Sequence, residues 1–338
     1  MNDFQRYLAE EFVEDYQEGR LSRRQALKLI ASVLGNVVVA QTFLAACAPS
    51  QTILTSPAVS TSAPISTTAP QQLTATSTTP PVSTEAATQT QTQIPTATVS
   101  GTVSPDDLAI EAGPIEIPAA DAMIAGYLAR PKADGASPVI LVCHENRGLT
   151  AHIQDVTRRF AKAGYVGLAV DLLSRQGGTA ALGSDAVPGA LGNIAPEQFV
   201  EDFLNGWRYL QGQTFADTER VGMTGFCFGG GVTWRVAVGM PELLAAVPFY
   251  GPHPAVAEVP NINAAVLAMY GELDQRINQG IPAIEAAMLE NNKIYEKIIY
   301  PNADHAFHND TGARYNPEAA QDAWARMLAW FEHYVRQS

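Results

Sequence analysis

One cysteine lies between two glycines in the sequence Gly225-Phe-Cys227-Phe-Gly229. The pattern Gly-x-nucleophile-x-Gly is typical of a nucleophile elbow, a sharp turn from a strand into a helix that lifts the central side chain above the sheet. The helix N-terminus that follows favours a thiolate over a thiol, and the N–H of Phe228 can point at a developing oxyanion. We therefore predict that Cys227 is a nucleophile and that Phe228 is an oxyanion donor. The alternative is a tight turn around an inert, buried thiol.

A thiol nucleophile needs a base, and the base needs an acid that orients it. In enzymes built around such an elbow, the chain order is nucleophile, acid, histidine. Asp274 and His305 follow in that order, each in a loop just after a predicted strand, and we predict that they are the acid and the base. Glu272 and Asp304 remain alternative acids, and His308 remains an alternative base.

The elements that must position these residues alternate between strand and helix. Short apolar runs indicate buried strands, and apolar residues at helical spacing indicate helices. The predicted strands are 139–143, 165–170, 220–224, 244–250, 265–270 and 294–300. The predicted helices are 151–163, 196–209, 229–239, 282–291 and 317–336. The alternation predicts an α/β fold with a mostly parallel sheet between helices, and an antiparallel start at 115–117 and 123–129 extends one edge.

The predicted strands and helices all lie within residues 106–338, which have a normal size for one α/β domain. The preceding segment, 48–105, has a different composition: Ser, Thr and Pro account for 33 of its 58 positions, and Glu85 is its single charge. Such a segment cannot bury enough apolar surface to offset its chain entropy. We therefore predict a disordered linker over 48–105.

Residues 1–47 have the features of an export signal. Arg23-Arg24 precedes an uncharged stretch, 29–46, and resembles a twin-arginine signal. The sequence Leu-Ala-Ala-Cys47 resembles a bacterial lipobox, whose cysteine is lipidated and becomes the new N-terminus. The alternative is that 29–46 remains as an uncleaved membrane anchor. Both readings predict a domain tethered to a membrane on its extracytoplasmic side, at the cell surface or in the periplasm.

Composition excludes several classes of protein. The chain of 338 residues has a formal charge of −13, whereas a nucleic-acid binder needs a basic face. Three cysteines are too few for a disulfide scaffold, and no pair of them has zinc-ligand spacing. Cys143 lies within a predicted central strand and is expected to be an inert core thiol. We therefore expect neither a nucleic-acid partner nor a metal site.

Five motifs together resemble the dienelactone hydrolase family, and the resemblance covers nearly all of 106–338. They are Cys143-His-Glu145-Asn-Arg-Gly148, Val170-Asp171 followed by Arg175-Gln176, Gly225-Phe-Cys227-Phe-Gly-Gly, Asp274, and Asp304-His305-Ala-Phe. The resemblance implies a lidless α/β-hydrolase fold with a Cys-His-Asp triad and without a metal or cofactor. It also implies that the substrate is a small lactone or another carboxylic ester.

The resemblance gives Glu145 a role as well. In the family, a glutamate in this first loop pairs with the nucleophilic cysteine and helps to activate it. A carboxylate beside a thiol can accept its proton, which is the physical reason for such a pair. The alternative is that Glu145 pairs with Arg147 or with a helix end. The backbone N–H of Asn146, in the same loop, is the predicted second oxyanion donor.

The expected substrate-binding residues depart from the family pattern at one position. Members that cleave dienelactones have an arginine four residues after the catalytic histidine, and this chain has Asn309 there. Arg175 matches a second arginine of the same site. Because a desolvated guanidinium–carboxylate pair is strong, the loss of one arginine weakens the case for a carboxylate-bearing dienelactone. Arg314 or Arg147 would be the spatial replacements, and the substrate remains open.

Two functions follow from these residues. The first is an exported ester or lactone hydrolase that acts through a thioester acyl-enzyme on Cys227. The second is a non-catalytic binding lipoprotein with a hydrolase fold, which the missing arginine at Asn309 and the extracytoplasmic location favour.

Overall fold

Eight strands form a single sheet in the computed structural model, which describes residues 1–47 and 101–337. The strands are β1 (Ile110–Pro118), β2 (Met123–Pro131), β3 (Ser137–Cys143), β4 (Val166–Val170), β5 (Ala216–Phe226), β6 (Ala245–Phe249), β7 (Ala265–Gly271) and β8 (Tyr295–Tyr300). Their order is β1-β2-β4-β3-β5-β6-β7-β8. β1 and β2 pair antiparallel, as does β2 with β4, and every later pairing is parallel. The predicted mostly parallel sheet with an antiparallel start is confirmed.

Several strands of the sheet are buried along nearly their whole length because both of their faces are covered. Every residue of β4, β6 and β7 is buried, as is every residue of β3 after its first. Continuous runs of Val, Leu, Ile and Ala are the composition expected of parallel strands between two helical layers. These runs are the signal by which the strands can be found in the sequence.

Ten α-helices are present among the described residues, three in the N-terminal segment and seven in the α/β domain. They are α1 (Asp3–Gln17), α2 (Arg23–Leu34), α3 (Val37–Ala46), α4 (Ala151–Lys162), α5 (Val187–Gly192), α6 (Pro196–Gln211), α7 (Phe228–Gly239), α8 (Gln275–Asn278), α9 (Ile281–Glu290) and α10 (Pro317–Phe331), which a π-helical turn (Glu332–Arg336) extends. Phe160 of α4 packs on Trp324 and Phe331 of α10, whereas Phe199 of α6 packs on Phe228 of α7. The aromatic contacts thus join the helices of each pair over the sheet.

The parallel strands bring four predicted site residues to one edge of the sheet. Glu145 follows β3, Cys227 follows β5, Asp274 follows β7 and His305 follows β8. Because these strands run in the same direction, their carboxyl ends lie at the same edge, where ligands bind in open α/β sheets.

Helix α1 begins at a capping box, in which Asn2 and Gln5 exchange side-chain-to-backbone hydrogen bonds. Phe4, Leu8 and Phe12 recur at every fourth position of this helix, and all three are buried. Residues 1–47 belong to the same compact unit as the α/β domain. The segment that the sequence assigns to an export signal is therefore folded against the domain, and the signal itself stays a prediction.

Helices α2 and α3 coincide with the predicted signal core. Among the described residues, no single helix is long and apolar enough to cross a membrane, although α2 and α3 taken together meet the length and composition criteria across a bend of 118°. Most of the predicted linker, 48–100, lies outside the described residues.

Candidate active site

Cys227 occupies the sharp turn between β5 and α7. Its φ of 58° and ψ of −120° form a combination that residues other than glycine rarely adopt. A Cβ atom at Gly225 would lie 2.2 Å from the carbonyl oxygen of Gly229, so the turn requires glycine there. Phe228 is the first residue of α7, and its N–H therefore has no carbonyl partner within the helix. The strained turn fixes a thiol and a backbone donor side by side.

His305 and Asp274 form a buried ion pair beside this turn. Nδ1 of His305 lies 2.6 Å from Oδ2 of Asp274, and both side chains are 1% exposed. Burial alone would lower the pKa of His305, but the charges of Asp274 and Cys227 raise it well above its ordinary value. Burial would likewise raise the pKa of Asp274, and the charge of His305 lowers it instead. The pair orients the imidazole and favours its protonated form.

The alternative acids and the alternative base have other partners. Asp304 accepts the backbone N–H of the next residue at 2.7 Å, and Glu272 accepts the N–H of Asn302 at 2.9 Å. The ring of His308 stacks on Phe226, with 5.0 Å between the ring centroids. Burial lowers the pKa of His308 to about 3, so it is a poor base at neutral pH.

Glu145 lies close to the catalytic centre, and its hydrogen bond goes to Asn309. Nδ2 of Asn309 donates to Oε2 of Glu145 at 2.7 Å. Burial raises the pKa of Glu145 to about 7, and the negative charge of Glu11 contributes to the same shift. The glutamate that the resemblance pairs with Cys227 is thus joined to Asn309, the residue that stands where dienelactone-cleaving members have an arginine.

Two residues of α1 contact Cys227, the predicted nucleophile, and the sequence analysis assigned neither to the site. The hydroxyl oxygen of Tyr7 lies 3.2 Å from Sγ of Cys227 and 3.5 Å from Nε2 of His305. Oε2 of Glu11 lies 3.6 Å from the same sulfur. Burial raises the pKa of Cys227, Glu11 raises it further, and His305 opposes both. The Cys227 side chain therefore faces Glu11, from the N-terminal helix.

A signal for this contact is present in the sequence. Phe4, Leu8 and Phe12 mark one apolar face of a helix, and Tyr7 and Glu11 lie one residue before two of them on the adjoining face. The periodicity indicates that the helix packs against something. It does not indicate the partner, which lies more than two hundred residues further along the chain.

The remaining loop residue also faces α1. Nδ2 of Asn146 donates to Oε1 of Glu11 at 3.0 Å. Glu11, Cys227 and His305 each offer a ligand atom, and these atoms lie within 4.8 Å of one another. Carboxylate, thiolate and imidazole are ligands that Zn²⁺ accepts. They form a candidate metal group, and the expectation that the protein works without metal stays a prediction.

The arginines considered for substrate binding differ in position. All three guanidinium nitrogens of Arg175 are engaged, by Asp121 and by Asp202. Arg147 is exposed. Arg314 is partly buried, its Nη1 lies 3.8 Å from Oδ1 of Asp15 in α1, and its charge lowers the pKa of the buried Glu145. Of the two replacements suggested for the missing arginine, Arg314 is the one whose charge acts on Glu145.

The other two cysteines occupy unlike environments. Cys143 is buried at the end of β3 and is free, and burial raises its pKa well above the ordinary value. Cys47 is exposed at the end of α3.

Comparison with known proteins identifies the relatives of this chain. The model of the dienelactone hydrolase family matches residues 124–335. A protein of Methylorubrum extorquens named "Putative carboxymethylenebutenolidase" is 36% identical over 246 residues, which cover 69% of this chain and 84% of that protein. A protein of the same name from Escherichia coli K12 is 35% identical over 247 residues, which cover 68% of this chain and 90% of the relative.

A solved structure gives the same result. The crystal structure titled "Putative Dienelactone Hydrolase" from Klebsiella pneumoniae superposes with a TM-score of 0.63 at 35% identity, covering 67% of this chain and 100% of that one. The α/β-hydrolase fold that the resemblance implied is confirmed. Family model, relatives and fold agree, and this chain belongs to the dienelactone hydrolase family and is a hydrolase of that type.

Proposed function

We propose that the protein hydrolyses small carboxylic esters or lactones with the triad Cys227, His305 and Asp274. The observation that carries the proposal is the 2.6 Å pair between His305 Nδ1 and Asp274 Oδ2, because it turns Nε2 toward the thiol at the elbow. The relatives' name, carboxymethylenebutenolidase, describes a lactone-opening activity and supports the same substrate class.

The reaction begins with proton transfer from Cys227 Sγ to His305 Nε2, while Asp274 stabilises the imidazolium. The thiolate attacks the carbonyl carbon, and the N–H groups of Phe228 and Asn146 stabilise the oxyanion. The imidazolium then protonates the leaving alkoxide, and a thioester remains on the cysteine. His305 next deprotonates a water molecule, which attacks the thioester and releases the acid and the thiolate.

Glu145 fits this scheme as an auxiliary base. Its pKa of about 7 lets the carboxyl group exist in both protonation states at neutral pH. The Asn309 amide donates a hydrogen bond to Oε2 of this group at 2.7 Å. In our proposal Asn309 lines the substrate site, where its hydrogen bond to Glu145 holds it. Arg175 can bind a substrate only if its guanidinium leaves Asp121 and Asp202.

The proposal extends to location. Arg23 and Arg24 are exposed and available to an export receptor, and Cys47 is exposed where α3 ends. We propose that the chain is exported through the twin-arginine signal, cleaved before Cys47 and tethered by lipid on the extracytoplasmic side of a membrane.

The catalytic proposal is tested by turnover of a short p-nitrophenyl ester and by trapping of the intermediate. The Cys227→Ala variant of the full chain is expected to lose all of the basal turnover that the wild-type chain shows, while Cys143→Ala, a matched core change, keeps that basal level. Acid quenching during turnover should leave an acyl group on the peptide that contains Cys227. Unchanged turnover in the Cys227→Ala variant would refute the triad, and stoichiometric binding without turnover would support the non-catalytic alternative.

A further inference from the structure

Helix α1 fills the space that a substrate needs. The Tyr7 hydroxyl contacts both the Cys227 sulfur and the His305 imidazole, at 3.2 Å and 3.5 Å. Attack on an ester requires the carbonyl carbon to approach the sulfur and the leaving oxygen to approach the imidazole. Cys227 is 3% exposed and His305 is 1% exposed beneath the helix. A substrate therefore has no access to the pair while α1 is in place.

Glu11 is bound as a product acid would be bound. Its carboxylate lies 3.6 Å from the sulfur, and the side chain of Asn146, whose backbone N–H is the proposed oxyanion donor, donates to it at 3.0 Å. Ester hydrolysis ends with a carboxylate in this position, next to the nucleophile.

Apolar packing holds the helix in this position. The ring of Phe4 lies 5.1 Å from the ring of Phe199 and 5.0 Å from that of Phe228, between centroids. Leu8 and Phe12 are fully buried. Burial of three large side chains along one face is the pattern of a docked helix rather than of a surface helix.

Charge complementarity supports the same contact at the rim of the site. Nε of Arg276 donates to Oε2 of Glu14 at 3.0 Å, and its guanidinium lies 4.7 Å from the centroid of the Tyr7 ring. Nη1 of Arg314 lies 3.8 Å from Oδ1 of Asp15. The acidic side of α1 thus faces two cations of the domain, which steers it to this site.

We propose that α1 is an intramolecular inhibitor that occupies the site of the acyl group on Cys227 and keeps the enzyme closed until the helix leaves. This inference rests on the proposed function, because inhibition presupposes turnover. The helix lies before the lipobox, so cleavage ahead of Cys47 would remove it together with the signal. The exported form would be open, and the precursor would be closed.

The test uses the full chain and two readouts. In Glu14→Arg, a new cation faces Arg276 and repels the helix from the rim, without changing a group at the reacting atoms. We measure the rate of iodoacetamide alkylation at Cys227, resolved from Cys47 by peptide mass spectrometry, and the turnover of p-nitrophenyl acetate. Both rates are expected to rise about tenfold, since a modest change in free energy shifts the open population by that factor.

The controls separate undocking from unfolding and from failure of the enzyme. Glu10→Arg makes the same charge change on the same helix away from Arg276, and both rates should stay at the wild-type level. Leu8→Asp, which places a charge in the apolar contact, should raise alkylation as Glu14→Arg does, and retained cooperative thermal unfolding shows that the domain is intact.

The outcomes are distinct. Faster alkylation without any turnover supports the closed state and overturns the proposed hydrolase. Alkylation unchanged in both Glu14→Arg and Leu8→Asp overturns the inhibitory role. Lower turnover in these variants would also overturn it, because α1 would then supply groups that the reaction needs.

Discussion

The protonation state of the Cys227 thiol is decided by its neighbours. His305 favours the thiolate, whereas burial and the charges of Glu11 and Glu145 favour the thiol. A thiolate is unfavourable next to the carboxylate of Glu11, which lies 3.6 Å from the sulfur, and the charge of Glu145 adds to this effect. Departure of α1 takes away Glu11 and leaves the histidine and Glu145, which is the set of groups that the mechanism uses.

Glu145 makes the stability of the protein depend on pH. Its pKa is about 7 in the folded state, against an ordinary value of 4.5, because burial disfavours the charged form. Below pH 4.5 both states are protonated and the group costs nothing. Between pH 4.5 and pH 7 only the unfolded state ionises, so the free energy of unfolding falls over this range, and above pH 7 the full cost is about 3 kcal/mol.

The Glu145→Gln variant removes this ionisation and can still accept the bond from Asn309. Its free energy of unfolding, measured in urea, should exceed that of the wild type by up to about 3 kcal/mol at pH 8 and should match it near pH 4.5. Glu116→Gln, at an exposed position of β1, serves as the control and should show no such difference. An equal loss of stability with pH in the wild type and in Glu145→Gln would contradict the raised pKa.

The acid of the triad can be identified by comparing three variants. Asp274→Asn keeps the shape of the loop and removes the charge that stabilises the imidazolium, so we expect kcat to fall by about 10²–10⁴-fold. Glu272→Gln and Asp304→Asn alter the alternative acids, which bond backbone N–H groups, and should leave kcat near the wild-type value. A larger loss in either of these two than in Asp274→Asn would reassign the acid.

At the scale of elements, the site is made by strand ends and one crowded turn. Cys227 follows β5, Asp274 follows β7 and His305 follows β8, so the proposed nucleophile, acid and base lie at the same edge. The backbone of the turn passes so close to neighbouring chain that a Cβ atom at Gly229 would lie 2.5 Å from the carbonyl oxygen of His144. Close backbone packing, rather than side-chain contact, therefore fixes the geometry of the elbow.

This crowding predicts a contrast between two glycine variants. Gly225→Ala places a methyl group 2.2 Å from backbone oxygen that cannot move aside, and we expect a loss of several kcal/mol in the free energy of unfolding, about 3 kcal/mol or more. Gly113→Ala, in β1, meets nothing within 4 Å and should be nearly neutral. Thermal unfolding of both variants is the measurement, and equal midpoints would contradict the close approach.

The sequence is sufficient to locate strands that consist of a continuous apolar run. The apolar runs of β3, β6 and β7 place those strands to within two residues. β5 begins four residues earlier than predicted, at Ala216, because its first residues are polar and are held by pairing with β3. This pairing depends on residues about eighty positions away in the chain, and the local sequence of β5 holds no information about them.

The candidate site likewise has parts that local sequence predicts and parts that depend on long-range contacts. The proposed triad of Cys227, Asp274 and His305 could be predicted because motif and chain order are local properties of the sequence, and its catalytic role stays a prediction. The bond between Glu145 and Asn309 and the contacts of Tyr7 could not, because each joins segments far apart in the chain. Only the folded arrangement shows that the N-terminal helix and the catalytic edge are complementary.

At the scale of the whole molecule, the order of segments along the chain suggests a sequence of events. Helix α1, which contacts the proposed nucleophile, comes first, Arg23 and Arg24 follow, and Cys47 lies before the predicted linker and the domain. A single cleavage before Cys47 would therefore separate helix α1 from the α/β domain. The acidic N-terminal residues, which an export signal alone does not require, acquire a role as the partner of Arg276 and Arg314.

This order predicts how export variants behave in a bacterium that has the twin-arginine pathway. The double variant Arg23→Lys, Arg24→Lys should stay in the cytoplasm at the full mass of 36.1 kDa, with Cys227 protected from alkylation by α1. Cys47→Ala should also keep residues 1–46, because the lipobox needs its cysteine, and should lose incorporation of labelled palmitate. Lys28→Arg is the matched control and should be processed normally. If Cys47→Ala leaves mass, membrane association and alkylation unchanged, then 29–46 is an uncleaved anchor, and α1 must be displaced by some means other than cleavage.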